Sequence, residues 1–355
     1  MITYKLSRKR FFSIAITLLL AANSLFSGLL ASAEADNTAT AAEDTESGNI
    51  YALYAEKYRD ISKPDSEIDL FNYDLNNETA LSTSESYKTE FSAKETGLYA
   101  IDIAYMLLNG SEAPAVSVRI DGELPYYEAS GIKLPSAFKD DGIDWSNTPD
   151  EYTIPEQTFI SEYREYTLFD TAGYYGGMLY FYIEKGSHSF ELLCESGEFK
   201  FNSLKFTNSN LSEPYDKSNL KSGYKDYDGD ALYFEAENMQ KKSDSSIYPI
   251  NDFSSASVSP QSYCKKYLNT VGGSSFENAG QYIEWEFTVP KDALYIISIK
   301  YRQSENTGMN SYRRILIDGK VPYSELEEYA FPYSGGYKNL TLSADGEPIK
   351  FALEK

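Results

Sequence analysis

One stretch of sequence occurs twice in this chain. The first copy runs from Glu90 to Tyr126 and the second from Glu286 to Tyr323. Each copy holds an alternating strand pattern, a loop, a second apolar run and the tripeptide Ile-Asp-Gly. The copies differ by one residue in the loop, where length changes are tolerated. Such a repeat indicates two structural units of one kind rather than one large domain.

The first apolar run of each copy alternates with a period of two residues. Its inward-facing members are Tyr99, Ile101, Ile103 and Tyr105 in the first copy, and Tyr295, Ile297, Ile299 and Tyr301 in the second. This alternation is typical of a half-buried antiparallel strand. The Asp-Gly pairs at 121–122 and 318–319 suit tight hairpin turns. The sequence therefore predicts an all-β protein of two tandem antiparallel β-sandwich domains.

The charge and the composition narrow the range of partners. The formal net charge is −22, so nucleic acid and anionic membrane surfaces are disfavoured as partners. Tyrosine occurs 32 times, and its flat ring with a polar tip suits both strands and binding surfaces.

The order of segments along the chain is predicted as follows. Residues 1–33 have the basic start, apolar run and Ala31-Ser32-Ala33 site of a secretory signal peptide, which implies a secreted or cell-surface protein. The remaining segments are a disordered acidic linker at 34–48, module 1 at 49–206, a second linker at 207–228 and module 2 at 229–355. Module 1 carries a long inserted loop at 127–178, of a length that is usually functional or disordered.

The two modules are expected to open and close in related ways. IYALYAEKY (50–58) and ALYFEAENM (231–239) are predicted as their opening strands. Module 1 closes with LYFYIEKG, SHSFELLCES and EFKFNSLKF, whereas IKFALEK in module 2 aligns with only the first of these. We therefore expect module 2 to be incomplete, as a C-terminally truncated piece of a longer protein.

Few residues carry the signature of catalysis. Cys194 and Cys264 lie in different repeats and are predicted as thiols outside a disulfide framework. His188, the single histidine, is interpreted as structural, and Trp285 as a core residue. The sequence contains no nucleophile elbow, phosphate loop or histidine-based metal motif, so we expect no enzyme activity.

Three stretches of module 2 resemble a known family. They are FEAENM (234–239), GGSSFENAGQYIEWEFTVPKDALYIISIKYR (272–302) and LIDGKVPY (316–323). They resemble the galactose-binding-like, jelly-roll β-sandwiches of carbohydrate-binding module families 6 and 35. The tandem arrangement is similar to the N-terminal region of large extracellular solute-binding proteins of Gram-positive sugar ABC transporters. The resemblance implies carbohydrate as a ligand, and a transporter permease as a partner through a further domain.

The resemblance also implies a metal site. In that family a Glu-x-Glu strand often binds a structural calcium ion, and the matching residues here are Glu235 and Glu237. Alternate residues of a strand point the same way, so two carboxylates can converge on one hard cation. A strand edge without an ion is the alternative interpretation.

Candidate sugar-binding residues are aromatic, amide and arginine side chains on loops. Such side chains stack on a pyranose and bond its hydroxyl groups. In module 2 they are Tyr248, Asn251, Arg302, Tyr312 and Arg313, and in the insertion of module 1 they are Trp145, Tyr174 and Tyr175. Tyr248 and Asn251 lead this set because Pro249 stiffens their loop.

Three functions remain open on the sequence alone. The first is non-catalytic carbohydrate binding at the cell surface by a sugar-uptake protein. The second is an accessory role beside the catalytic domain of a secreted glycoside hydrolase. The third is a structural spacer or protein-contact role without sugar binding, since many sandwiches bind no ligand.

Overall fold

The computed structural model describes most of the chain from residue 50 onward. The described ranges are 50–71, 78–110, 113–141, 155–175, 177–208, 211–261, 263–305 and 307–355, together with the backbone of residues 14–21. Within these ranges, no helix has the length and apolar character needed to cross a lipid bilayer.

The elements of the N-terminal half are one strand far upstream followed by those of module 1. They are β1 (Ile14–Ala21), α1 (Tyr51–Lys57), β2 (Ile68–Phe71), β3 (Thr79–Ser82), β4 (Ser86–Ala93), β5 (Gly97–Leu107), β6 (Ala115–Ile120), β7 (Ile132–Lys133), β8 (Phe138–Asp141), β9 (Glu156–Phe159), β10 (Arg164–Thr167), β11 (Phe181–Ile183), β12 (Gly186–Ser196) and β13 (Glu198–Thr207). A 3₁₀ turn spans Tyr127–Ala129.

Module 2 consists of shorter strands. They are β14 (Lys241–Lys242), β15 (Pro249–Ile250), β16 (Thr270–Val271), β17 (Tyr282–Phe287), β18 (Ala293–Tyr295), β19 (Ser298–Tyr301), β20 (Ser311–Ile317), β21 (Tyr329–Phe331), β22 (Lys338–Thr341), β23 (Ser343–Ala344), β24 (Glu347–Pro348) and β25 (Phe351–Leu353). Further 3₁₀ turns span Lys217–Asn219, Gly273–Ser275 and Ser324–Leu326.

Module 1 is a sandwich of two antiparallel sheets. One sheet has the order β4-β12-β6-β7; the other has the order β10-β5-β13-β2, with β11 also pairing β5 and β3 also pairing β13. The inner faces share one core, in which the rings of Phe190 and Phe206 lie 5.8 Å apart. Ile101 and Ile103 of β5 are buried while Asp102 between them is not, which confirms the predicted alternation.

Module 2 repeats this plan around a core of its own. Tyr295 of β18 pairs with Phe351 of β25, as Tyr99 of β5 pairs with Phe181 of β11. Ile297 is partly buried and packs against the module 2 core, which shares no member with the main core of module 1. The prediction of two β-sandwiches with separate cores is therefore confirmed.

Both Asp-Gly pairs form the predicted hairpin turns. Asp121 and Gly122 have φ values of 54° and 82°, and Asp318 and Gly319 have φ values of 51° and 78°. Positive φ at both central residues is typical of a type I′ turn, which matches the right-handed twist of the flanking strands.

One sheet runs through both modules. Its order is β21-β20-β1-β17-β14-β8-β9, so that β1 lies inside module 2 and β8 and β9 come from module 1. β14 pairs with β17 through Lys241 and Glu284, and with β8 through Lys242 and Phe138. The two sandwiches are thus joined by backbone pairing as well as by side-chain packing.

A buried ion pair lies at this joint. The Lys242 ammonium contacts the Asp140 carboxylate, and both side chains are almost completely shielded from solvent, at 0% and 1% exposure. Burial lowers the pKa of Lys242, and the Asp140 carboxylate opposes that shift. Such a pair is costly to desolvate and even more costly to break on one side.

The insertion of module 1 supplies the strands of this junction. Sequence patterns gave 127–178 only as a long loop, but its described parts form β7, β8, β9 and β10. β10 extends the sheet of β5, with Arg164 opposite Tyr105, while β8 and β9 reach module 2. Trp145 lies in 142–154, outside the described residues.

The predicted opening strand of module 1 is wrong, because Tyr51–Lys57 forms the helix α1. Tyr51, Tyr54 and Tyr58 recur at spacings of three and four residues, which places them on one helical face. The rings of Tyr51 and Tyr54 contact Tyr126 at 4.7 and 4.8 Å, and Tyr58 stacks on Tyr182 at 4.2 Å. This aromatic contact surface fixes the helix where local patterns suggested a strand.

The predicted opening strand of module 2 is wrong as well. Residues 231–239 contain a turn in which the Asn238 amide donates to the Glu235 carbonyl at 3.1 Å. The Trp285 indole donates to the Ala236 carbonyl at 2.8 Å and so holds this turn against the sheet. Ladder pairing with β17 begins only at Lys241.

The segment between the modules lies against module 2. Tyr227 stacks on Tyr295 with ring centroids 4.7 Å apart, and its amide donates to the Leu294 carbonyl at 2.9 Å. The Tyr215 hydroxyl accepts a hydrogen bond from the Lys350 amide at 3.2 Å.

His188 has the structural role that the sequence indicated. Its Nδ1 lies 2.7 Å from the Asp121 carboxylate and its Nε2 lies 2.8 Å from the Glu184 carbonyl. Burial lowers the pKa of His188, but these two bonds outweigh burial and the net direction is upward. Cys194 is buried in the core, whereas Cys264 is exposed.

The ion pair at the joint yields a stability prediction. Asp140→Ala leaves the Lys242 ammonium buried without its counter-charge, so the free energy of unfolding should fall by about 3–5 kcal/mol in urea titrations. The double variant Asp140→Leu/Lys242→Met removes both charges and should recover most of that loss.

The matched control is Asp141→Ala, whose ion pair with Lys139 is exposed to solvent. It should cost less than about 1 kcal/mol. Equal losses in Asp140→Ala and Asp141→Ala would contradict a buried pair at the joint.

Candidate functional site

The candidate residues in the module 1 insertion lie on a tight loop. The Asp170 carboxylate accepts hydrogen bonds from the amides of Ala172 at 2.9 Å and Tyr175 at 2.5 Å. This holds the loop closed, with Tyr174 projecting at 68% exposure and the ring of Tyr175 packed 4.5 Å from that of Tyr51. Tyr174 is therefore accessible, whereas Tyr175 is partly committed to packing.

Arg302 belongs to a cluster of side chains that bond each other, and the neighbouring Asn251 bonds a backbone carbonyl. The Arg302 guanidinium lies 3.0 Å from the Asp252 carboxylate and 5.0 Å from the Tyr337 ring centroid. The Tyr337 hydroxyl donates to Asp252 at 2.5 Å, and the Asn251 amide donates to the Tyr267 carbonyl. These bonds hold the loop after β15 against the sheet. They also occupy the polar groups of Asn251 and Arg302, which the sequence analysis predicted to bind sugar.

The other candidates of module 2 lie elsewhere. Tyr312 and Arg313 are on β20, where Arg313 donates to the Tyr312 carbonyl at 2.8 Å and lies 5.5 Å from the Phe276 ring centroid. Burial lowers the pKa of Arg313 to about 9, so this guanidinium remains charged at neutral pH. Tyr248 is half-buried beside β15. The predicted residues that lie within the described ranges thus do not converge on a single site.

The two carboxylates predicted to bind calcium have different environments. Glu235 is exposed, whereas Glu237 is buried with 4% exposure. Burial raises the pKa of Glu237 to about 7, and the neighbouring charge of Glu235 adds to the rise. Among the ion pairs of the described residues, none includes Glu237.

The negative charge of Glu235 and Glu237 suits a cation, but two side chains supply fewer ligands than calcium needs. Calcium takes six to eight oxygen ligands. Within the described ranges, no cluster of three or more His, Cys, Asp or Glu residues is arranged to hold a metal ion. Calcium at Glu235 and Glu237 therefore stays a prediction, and the buried carboxylate of Glu237 is the group through which it can be tested.

A cavity of about 240 Å³ lies at the junction of the modules. Its walls come from β10 and its flanking loops in module 1, and from β17, β20 and the turn after β20 in module 2. Its aromatic members are Tyr163, Tyr166, Phe169 and Tyr282, its acids are Glu162, Glu165, Glu284 and Glu327, and its bases are Arg164, Lys241, Arg314 and Lys320. Acids and bases balance, so the cavity suits a neutral ligand.

One hydrogen-bond network fixes the wall on the module 1 side. Arg164 donates to the carbonyls of Pro135 and Ser136, each at 3.1 Å, and to the Tyr282 hydroxyl at 2.5 Å. That hydroxyl in turn donates to the Ser136 carbonyl at 2.9 Å. The network crosses between the modules and holds the rim of the cavity rigid.

Two residues that line the cavity, Tyr166 and Arg314, each carry a buried polar atom without a hydrogen-bond partner among the described residues. These atoms are the Tyr166 hydroxyl oxygen and Nη2 of Arg314. Arg314 is 93% buried, with its Nε 3.0 Å from the Glu327 carboxylate and its guanidinium 5.0 Å from the Phe169 ring centroid. Both atoms expose almost no surface to solvent, so a ligand oxygen can pair with either one only after neighbouring side chains move.

Sequence reasoning missed these residues for identifiable reasons. Arg164 and Tyr166 lie in the insertion, whose pattern is too short to predict β10. Arg314 is adjacent to Arg313, and the alternation of β20 places the two on opposite faces. This alternation is the sequence feature that distinguishes Arg314, which lines the cavity, from the predicted sugar-binding residue Arg313.

The solved structures that resemble this chain do so weakly. No protein-family model matches the sequence, and no curated protein matches it. A family 35 carbohydrate-binding module from an environmental isolate is similar in structure at a TM-score of 0.23 and 11% identity, over 42% of this chain and 82% of that chain. A GH26-CBM35 β-(1,4)-mannanase from Podospora anserina is similar at a TM-score of 0.24 and 12% identity, over 43% of this chain and 30% of that chain. Likeness of this extent carries no argument about the ligand.

The buried carboxylate of Glu237 predicts a pH dependence of stability. Between about pH 4.5 and 7 the unfolded chain ionises this group while the folded chain keeps it protonated, so stability falls as pH rises. Glu237→Gln should remove this penalty, which is on the order of 3 kcal/mol, in urea titrations at pH 5 and pH 8. Glu235→Gln, at the exposed neighbour, should keep most of the wild-type slope.

The same variants test calcium. A calcium site predicts that calcium chloride raises the unfolding midpoint of the wild type at pH 8 but not that of Glu237→Gln. An equal response of the two proteins would remove Glu237 as a ligand. An unchanged pH slope in Glu237→Gln would contradict its burial.

Proposed function

We propose that this chain is a pair of non-catalytic carbohydrate-binding modules, and that the junction cavity binds one neutral sugar residue. The observation that carries the proposal is a cavity with aromatic walls, two of whose lining residues, Tyr166 and Arg314, carry buried polar atoms without a hydrogen-bond partner among the described residues. A sugar offers hydroxyl oxygens to both atoms and an apolar ring face to the aromatic side chains.

The size and the charge of the cavity define the ligand class. At about 240 Å³ it is smaller than the usual pocket for a drug-sized ligand, so it suits a single ring better than a long chain. Among the described residues, its four acids and four bases leave no excess charge for an anion. A neutral pyranose, free or at the end of an oligosaccharide, meets both conditions.

The sequence resemblance to carbohydrate-binding module families 6 and 35 supports the same ligand class. On that resemblance we place the modules in a secreted sugar-uptake protein at the cell surface, with a transporter permease as partner through a further domain. The pairing of this chain with a permease is testable by crosslinking on intact cells.

A spacer role is the second candidate. It is favoured by the cluster of Asn251, Asp252, Arg302 and Tyr337, whose side chains bond within the protein. If that loop serves only to hold the sandwich together, Asn251→Ala should lower stability without changing the retention of any saccharide. Arg314→Ala tests the cavity independently of this loop.

Arg314→Ala should weaken saccharide binding about tenfold or more. Loss of a hydrogen bond from a charged donor costs about 1.5–3 kcal/mol, and 1.4 kcal/mol corresponds to a factor of ten. The measurement is titration calorimetry of the full chain with methyl glycosides of glucose, galactose, mannose and xylose. Tyr166→Phe removes only a hydroxyl group and should weaken the same ligand by about threefold.

Arg313→Ala is the matched control, because it removes the same side chain from the opposite face of β20. It should change the affinity by less than about twofold. Lack of retention on any neutral saccharide, or equal losses in Arg313→Ala and Arg314→Ala, would contradict the cavity as the sugar site.

The secreted location predicts a processed N-terminus. In a host that exports the protein, mass spectrometry of the mature chain should find Glu34 as its first residue, since cleavage follows Ala31-Ser32-Ala33. Ala33→Glu places a charged residue at the cleavage position and should block processing. Recovery of an intact Met1 terminus from the secreted wild type would contradict this assignment.

A further inference from the structure

The central strand position of one sheet is filled differently in the two modules. In module 1, β12 lies between β4 and β6 and is antiparallel to both. In module 2 the corresponding strands are β17 and β20, and the strand between them is β1, again antiparallel to both. A segment from the far N-terminus therefore takes the position that module 1 fills from its own sequence.

The correspondence extends to the register. The cassette alignment relates Thr89 to Trp285 and Ile120 to Ile317. In module 1, Phe190 of β12 pairs with Thr89 and Ile120. In module 2, Ile16 of β1 pairs with Trp285 and Ile317. Ile16 thus holds the place of Phe190, so β1 reproduces the pairing of β12 residue by residue.

The opposite sheet gives a second, independent observation. In module 1, β13 pairs along β5, and Ala100 is only 3% exposed. The corresponding residue of module 2, Ile296, is 52% exposed. Among the described residues, β18 pairs with β25 and β19 with β22, and the other side carries only an isolated parallel bridge between Asp226 and Leu294. Module 2 therefore lacks, within 229–355, counterparts of both strands of the β12–β13 hairpin.

An unfilled position between two strands is energetically unfavourable. It would leave the facing N–H and C=O groups of β17 and β20 without ladder partners. An extended segment that adds between them satisfies both rows at once, which is the physical basis of binding by strand addition.

We propose that the space between β17 and β20 is a strand-acceptor site, and that Ile14–Ala21 occupies it while the N-terminal segment stays attached. The predicted cleavage after Ala33 cuts this connection, so the strand can leave and another strand can enter. The replacement that the site fits is a segment with the pattern of β12, whose buried residues are Phe190, Leu192 and Cys194.

The occupant also bears on the junction cavity. Leu19 of β1 pairs with both Tyr282 and Arg314, which line the cavity from two different strands. The inserted strand therefore sets the spacing between these two residues. The acceptor site itself rests on backbone pairing, so it stands or falls independently of saccharide binding.

The test uses hydrogen exchange of the full chain, produced without export so that its N-terminal segment is retained. Leu18→Pro removes an amide donor and introduces a ring that a central strand does not tolerate. We expect amides of β17 and β20 to exchange at least tenfold faster in this variant, while those of β4 and β6 in module 1 are unchanged.

Leu29→Pro is the matched control, because it places the same residue in the same N-terminal segment outside β1. It should leave exchange in β17 and β20 at the wild-type rate. Unchanged exchange in Leu18→Pro, or equal acceleration by Leu29→Pro, would overturn the assignment of Ile14–Ala21 as the occupant.

The exchange of occupants is tested on the chain that begins at Glu34. A synthetic peptide of residues 186–196, with Cys194→Ser, should restore protection to the amides of 282–287 and 311–317. A scrambled peptide of the same composition should restore none. Full protection of both strands without peptide, or equal protection by the scrambled peptide, would overturn the acceptor site.

Discussion

Backbone pairing through the centre of the seven-stranded sheet is the constraint on which the second half of the molecule depends. β1 pairs with β17 on one side and β20 on the other, and without it the sheet divides into two parts. One part, β20 and β21, contributes Ile315 and Phe331 to the core of module 2. The other, β17 and β14, contributes Phe287 to the same core and leads through β8 and β9 into module 1. Completion of one strand position therefore adds backbone pairing to the side-chain packing that links the core of module 2 to the junction.

The junction is stabilised by groups that are costly to leave unpaired. Lys242 and Asp140 are withdrawn from water together, and Arg164 bridges to Tyr282 across the modules. Each of these bonds needs a partner from the other module, since a buried charge alone would cost several kcal/mol. The two sandwiches are consequently held in one arrangement, which is what gives the cavity between them a defined shape.

The sequence predicted what local patterns determine. Alternation along β5 and the Asp-Gly turns depend on neighbouring residues, and both were confirmed. The tyrosines of α1 are spaced by three and four residues, which fits a helix and not the predicted strand, but the contacts with Tyr126 and Tyr182 that hold this helix come from distant sequence. The position of β1 and the cavity depend on pairing across hundreds of residues, which no local pattern contains.

Structure and proposed function are carried by different parts of the sequence. The repeated cassettes build two similar frames, whereas the cavity is lined by residues of the insertion, such as Arg164 and Tyr166, which have no counterpart in module 2. β20 shows how closely the two roles adjoin: Arg313 packs against Phe276, and its neighbour Arg314 faces the cavity. Sequence changes in the insertion, which is not repeated, leave the cores of both sandwiches intact. The junction is therefore where a ligand site can arise at the least cost to stability.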